Sequence, residues 1–189
     1  MTVPTLLLFP GLGADGRIFE PQRRLPVNFE VAEWIEPLSP DEPLAHYAGR
    51  MAAALGPRPD AYVGGISMGA MVALETAERL NARGVFTIGG CSSHRQIAPL
   101  FRAALAAGSR TPCTAIRPSL SLLAPLALKL FEHLEPDQIR LMTRMLREHS
   151  PRKIRWSCRA ILDWEYHGPP GIPVYSIHGE RDEVIPSVA

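Results

Sequence analysis

Short apolar runs alternate with helical patterns over the first 90 residues of this chain, and then the alternation stops. The runs cover 5–9 (TLLLF), 29–35 (FEVAEWI), 61–65 (AYVGG) and 84–90 (GVFTIGG), and a last one, 173–178 (PVYSIH), lies near the end. Runs so short and so apolar read as strands buried on both faces of a parallel sheet. Parallel neighbours need crossovers, and helices supply them. Leu44, Ala45, Ala48, Met51, Ala52 and Leu55 recur at helical spacing and leave His46 and Arg50 on another face. Ser39-Pro40-Asp41-Glu42 ahead of them reads as a capping box with proline at the first helical position. A second helix is expected over 68–81, closed by Gly84. The pattern argues an α/β fold: a mostly parallel sheet, flanked by helices, with right-handed crossovers.

Between 90 and 173 only helical patterns occur, over roughly 97–107, 120–133, 137–149 and 151–164. Pro112, Pro118, Pro125, Pro136 and Pro151 punctuate them. An all-helical insertion between two strands suits a cap over the carboxyl edge of the sheet, where ligands sit in open α/β sheets. The expected organisation is therefore a core sheet part at 1–92, a helical cap insertion at 93–170 and a return to the core sheet at 171–189.

Composition excludes several classes. The chain is 46% hydrophobic and 21% charged with a net charge of +1, so no strong field advertises nucleic acid or an anionic membrane. No run approaches the roughly 20 apolar residues of a membrane span. Cys91, Cys113 and Cys158 are odd in number and far apart, which argues against a disulfide framework or a zinc site and fits a reducing cytosol. No metal constellation or cofactor motif appears, and oligomeric state is not readable. The N-terminal MTVPTLLLFPGLG lacks a basic region and is broken by Pro10 and Gly11, so it reads as a first strand rather than a signal peptide.

Chemistry concentrates in three places. Gly65-Ile66-Ser67-Met68-Gly69 is G-x-S-x-G at the end of a strand and the start of a helix. The chain must reverse there within a few residues, which holds Ser67 in a sparsely populated conformation and projects its hydroxyl from the sheet edge. The N–H of Met68, at a helix N-terminus, then points toward a developing oxyanion. The plainer alternative is a glycine-rich turn that happens to hold a serine.

The second place is FPGLGADGRIFEP (9–21), where a Pro-Gly turn exposes backbone donors beside the strand of Ser67. The N–H of Leu12 is the natural second oxyanion donor, against a loop that merely connects. A phosphate loop fits poorly, because no lysine follows Gly13 or Gly16. The third is VYSIHGERDEVIP (174–186), where Asp182 could orient a catalytic imidazole, with Glu180 and Glu183 as rivals and a solvated charged loop as the alternative.

Together these residues resemble the α/β-hydrolase superfamily in its compact bacterial members, over nearly the whole chain. Phe9-Pro10-Gly11-Leu12-Gly13 stands at the family's oxyanion loop, although the common His-Gly is Pro10-Gly11 here. His178-Gly179-Glu180-Arg181-Asp182-Glu183-Val184-Ile185-Pro186 looks like the segment that carries the family's acid. The resemblance implies Ser67 as nucleophile, Asp182 as acid, and Leu12 and Met68 N–H groups as the oxyanion hole. It also implies a catalytic histidine after the acid, following one more strand. No histidine follows His178. The expectation is a fragment with little activity, a shortened non-catalytic protein being the alternative. His94 and His178 are weak substitutes for the base, and His46, His133, His149 and His167 read as surface or cap residues.

The basic stretch 140–159 reads as the wet face of helices, with an anionic acyl carrier or phosphate-bearing thioester as the sharper option. Cys91 follows a strand and could line a pocket. Trp156, Trp164 and Tyr166 suit core packing more than an acyl pocket. The function expected is a cytoplasmic serine hydrolase acting on a small ester, thioester or related acyl substrate. The alternative is a non-catalytic α/β-hydrolase-like module that binds a small molecule.

Overall fold

The computed structural model describes residues 3–128, 134–168 and 171–186. Five strands form one sheet: β1 (Thr5–Phe9), β2 (Asn28–Val31), β3 (Ala61–Ile66), β4 (Gly84–Ile88) and β5 (Val174–Ile177). Their order is β2-β1-β3-β4-β5, and every neighbouring pair is parallel. The sheet and its flanking helices form the parallel α/β architecture that the alternation predicts.

Two helices cross over within the first half, α1 (Leu44–Leu55) and α2 (Met68–Thr76). α1 buries one stripe, Leu44, Tyr47, Ala48, Met51 and Ala52. α2 buries nearly its whole circumference, Thr76 included, as a helix inside a core must. It stops five residues before the expected end. The chain continues in turns to Asn81, which takes a left-handed φ of 55°, a conformation asparagine tolerates better than most residues.

The capping-box expectation fails. α1 begins at Leu44, with Pro43 as its N-cap and no side-chain cap. Glu42 points inward instead. Its carboxylate accepts from the Leu38 N–H (2.7 Å) and from Arg50 Nε and Nη2 (both 2.9 Å), and pairs with His46 Nδ1 (2.7 Å). A buried carboxylate needs a cation more than a helix end needs a cap. Burial alone would raise its pKa, but the Arg50 guanidinium, the Leu38 N–H and His46 together hold it below the usual value.

β2 is also shorter than its apolar run. Its ladder with β1 closes where Ala32 N–H donates to Leu8 (2.9 Å). Trp34 and Ile35 then leave the sheet to pack on the core, and Tyr47 donates its hydroxyl to the Ile35 carbonyl (2.8 Å). β5 is an edge strand paired on one side only, with Val174, Tyr175 and Ile177 exposed. Such an apolar edge invites a further strand.

Between β4 and β5 the described chain is helical: α3 (Pro99–Arg110), α4 (Cys113–Leu128), α5 (Pro136–Glu148) and α6 (Pro151–Leu162). The part of the expected 120–133 helix beyond 128 lies outside the described residues. α6 packs into the main core through Trp156, Ala160 and Ile161, and Trp164 follows it there. A smaller cluster of Ile116, Ile154 and Cys158 gathers Leu12, Leu105, Leu120 and Leu146 around it. The insert reaches loops that follow sheet strands at their carboxyl ends. Trp156 Nε1 donates to the Glu42 carbonyl (2.8 Å), Lys153 Nζ to Trp34 (3.0 Å) and the Ala98 N–H to Val184 (2.9 Å).

Candidate active site

The bend after β3 explains its own sequence. Ser67 has φ 55° and ψ −119°, a backbone conformation that costs about 1–3 kcal/mol and survives only where surroundings enforce it. Here they do. Its N–H donates to Ile88 on β4 (3.0 Å), and its carbonyl accepts from Ala70 (2.9 Å). A Cβ on Gly65 would run into the Gly69 backbone and stand 2.7 Å from the Ala70 nitrogen. A Cβ on Gly69 would collide with the carbonyls of Phe9 and Pro10. Strand, helix and the loop after β1 thus pass each other at backbone contact.

Ser67 is half-buried, and among the described residues nothing hydrogen-bonds its hydroxyl. The loop after β1 lies beside it: a Cβ on Gly11 would stand 3.7 Å from Ser67 Cβ. Ala14 N–H closes a turn onto Gly11 (3.1 Å), with Gly13 at φ 67°. The N–H groups of Leu12 and Met68 have no hydrogen-bond partner among the described residues. Met68 begins α2, so its N–H is one of the donors that a helix leaves unsatisfied.

α5 holds this loop from outside. Leu146 would obstruct any side chain at Gly13, and His149 Nε2 lies 3.1 Å from the Ala14 carbonyl. Arg17 bridges Asp15 and Glu148, each at 2.6 Å. The Arg17 hydrogen bond keeps the Asp15 carboxyl below its usual range, and burial pushes the His149 imidazole below its own.

Asp182 sits at the end of β4. A Cβ on Gly89, next to the Ile88 that accepts from Ser67, would stand 3.1 Å from Asp182 Oδ2. Oδ1 accepts from the N–H groups of Val184 and Ile185, both at 2.9 Å. His178 Nε2 lies 3.5 Å from Oδ2 and also contacts the Ile185 carbonyl. Glu180 and Glu183 are exposed, without a hydrogen bond or ion pair among the described residues. Of the three carboxylates only Asp182 is built into the fold. The sequence offers one sign of its seat, the Gly89-Gly90 pair, which the strand reading absorbed.

No described histidine hydrogen-bonds Ser67. His94 Nδ1 faces the Trp164 carbonyl (3.2 Å), His46 serves Glu42, His149 serves Ala14, His178 serves the Asp182 loop, and His167 is exposed. His133 lies outside the described residues. Burial pushes the Cys91 thiol up to about 11, so it is no ready nucleophile. Trp156 and Trp164 are core residues; Trp164 Nε1 donates to Glu75 (2.9 Å). Tyr166 is half-buried beside them. Among the described residues no group of His, Cys, Asp and Glu could hold a metal ion, and no helix is long and apolar enough to cross a membrane.

No family model matches the chain, and a search of curated proteins finds no relative. Solved structures do resemble it. A hydrolase from Oleispira antarctica superposes with a TM-score of 0.73 at 15% identity, over 98% of this chain and 76% of that one. An esterase from Thermogutta terrifontis gives 0.67 at 16% identity, over 98% and 74%. Epoxide hydrolases of the α/β-hydrolase superfamily, from metagenomes of hot environments, give 0.61 at 17% identity, over 97% and 76%. The parallel sheet, the bend at Ser67, the loop beside it and these likenesses agree: this chain has the α/β-hydrolase fold.

Proposed function

We propose that the chain is a serine hydrolase that opens a small ester, thioester or related acyl bond through an acyl-enzyme. The observation that carries this reading is the strained Ser67, half-exposed, beside two backbone N–H groups that have no partner among the described residues. Ser67 Oγ attacks the acyl carbonyl, and the carbonyl oxygen becomes an oxyanion that accepts from Leu12 and Met68. The tetrahedral intermediate collapses, the leaving group departs with a proton, and water repeats the sequence to release the acid. Asp182, with Oδ1 saturated by two N–H groups, is the carboxylate suited to orient an imidazole through Oδ2. The three free cysteines suit the reducing cytosol in which we place it.

No base is supplied among the described residues, because no described histidine hydrogen-bonds Ser67. A neutral serine is a poor nucleophile without one. The 189-residue chain should therefore acylate slowly, and added imidazole should accelerate it. The test is a fluorophosphonate probe with and without imidazole. Labelling at Ser67 that disappears in Ser67→Ala supports the reading. Absence of labelling at high imidazole would abandon it for the second reading, a module that binds a small molecule without chemistry, which the unengaged hydroxyl favours.

A further inference from the structure

The outer side of the helical insert carries a groove that the Ser67 chemistry does not use. It lies between α4 and α5 and encloses about 660 Å³. Among the described residues, Arg117 from α4 and Arg140, Arg144 and Arg147 from α5 line it, against one carboxylate, Glu148. That concentration of cations occurs in a chain whose net charge is +1. Arg140, Arg144 and Arg147 recur at i, i+4 and i+7, a single stripe along the helix, and like charges at this spacing weaken a helix. Arg140 pairs with Asp137, and Arg144 with Glu148 at 2.8 Å, but Glu148 is shared with Arg17. Arg117 and Arg147 have no carboxylate partner among the described residues. Thr143 also lines the groove, and its hydroxyl, shut off from solvent, has no hydrogen-bond partner among the described residues.

A solvated helix face accounts for exposed arginines one at a time. It does not account for cations from two helices that line a common concavity beside an unsatisfied hydroxyl. We infer that this groove binds phosphate groups. Guanidinium forks match phosphate oxygens two at a time. A tetrahedral, multiply charged anion offers oxygens to both walls, whereas a carboxylate presents two in one plane.

The inner side of the same helix bears on the loop beside Ser67, through Leu146 against Gly13. The phosphate therefore belongs either to the far end of an acyl donor or to a separate phosphate ester. Only the choice between these sources rests on the hydrolase reading.

Calorimetry of the Ser67→Ala protein with inorganic pyrophosphate tests the site itself. Saturable binding is expected, weaker in salt, and weaker by about tenfold or more in the Arg117→Gln/Arg147→Gln variant. Both side chains are exposed, and an unchanged melting temperature certifies that the variant folds. Absence of saturable binding, or an affinity unchanged in the double variant, overturns the proposal. With Ser67 restored and imidazole present, pyrophosphate that competes with acylation by acetyl-coenzyme A assigns the phosphate to the acyl donor. Acylation indifferent to pyrophosphate assigns it to a separate ligand. No fluorophosphonate labelling of Ser67 at high imidazole, with calorimetric binding intact, sinks the hydrolase reading and leaves the groove standing.

Discussion

The elbow from β3 into α2 and the outer helices α3 and α5 are built in opposite ways. At the elbow, backbone meets backbone, and every residue from Met68 to Leu74 is buried. In the insert, α3 buries no residue and α5 only Met145. α5 is fastened by Met145 and Leu146 on its inner side and by exposed ion pairs and His149 at its end. The contrast separates two demands. Backbone contacts of glycines on rigid elements fix the position of Ser67 closely. A surface that chooses a partner can vary, and side chains on loosely buried helices permit it.

Gly69→Ala should break the rigid half most severely. Its new Cβ would meet two carbonyls of the β1 strand end and loop, which cannot rotate away. A loss of more than about 3 kcal/mol in urea unfolding, or no folded protein, is expected. A loss below about 1 kcal/mol would show that the elbow is not tight, and the contrast would collapse.

Glu42→Gln comes next, at the seam between the halves. It leaves Arg50 without its anion and should cost about 2 kcal/mol at pH 7. The sign with pH follows from the lowered carboxyl. Its contribution is complete above the ordinary value of 4.5 and is lost as pH falls through the lower folded value, so wild type and variant should converge in acid. Parallel stability curves across that range would remove the carboxylate from the account.

Arg144→Gln removes an exposed pair with Glu148 and should cost under about 1 kcal/mol in the same assay. A larger loss would mean that surface ion pairs hold the insert as firmly as packing holds the elbow. The smallest effect belongs to His149→Gln. Burial lowers the His149 imidazole from 6.5, so below that pH the unfolded chain takes up a proton that the folded chain refuses. Wild type should lose stability from pH 6.5 downward to the folded value, and the variant should lack that slope. The difference in melting temperature between pH 7.5 and 5.5 should be less than about 2 °C.

Much of the fold could be read from letters near one another. β1 spans 5–9 and α1 spans 44–55 as their patterns predict, and Gly65 and Gly69 announce the bend between strand and helix. Less local matters went wrong or unseen. Ser39-Pro40-Asp41-Glu42 has the letters of a cap, yet the helix starts later and Glu42 serves Arg50, because the packing of α6 and Tyr47 buries that corner. The 3-10 stretch Gly16–Arg24 has no apolar periodicity to betray it; Asp15 starts it by accepting from the Arg17 N–H at 3.0 Å. The three carboxylates after β5 are equivalent as text, and only the loop's hydrogen bonds and the space over Gly89 single out Asp182.

Periodicity and glycine placement act through dihedral angles and the side on which a residue falls, which neighbours in the chain settle among themselves. That is why the letters alone placed the strands and the first crossover helices, though not all of their ends, and the strained serine. Which corners are buried and which loops meet is settled by residues scores of positions apart, as when Trp156 closes over the Glu42 backbone and the loop after β1 meets Ser67; Glu42 then takes partners close by in the chain, Leu38, His46 and Arg50. Folding therefore decided what Glu42 binds, where Asp182 lodges, and that arginines of α4 and α5 face one hollow.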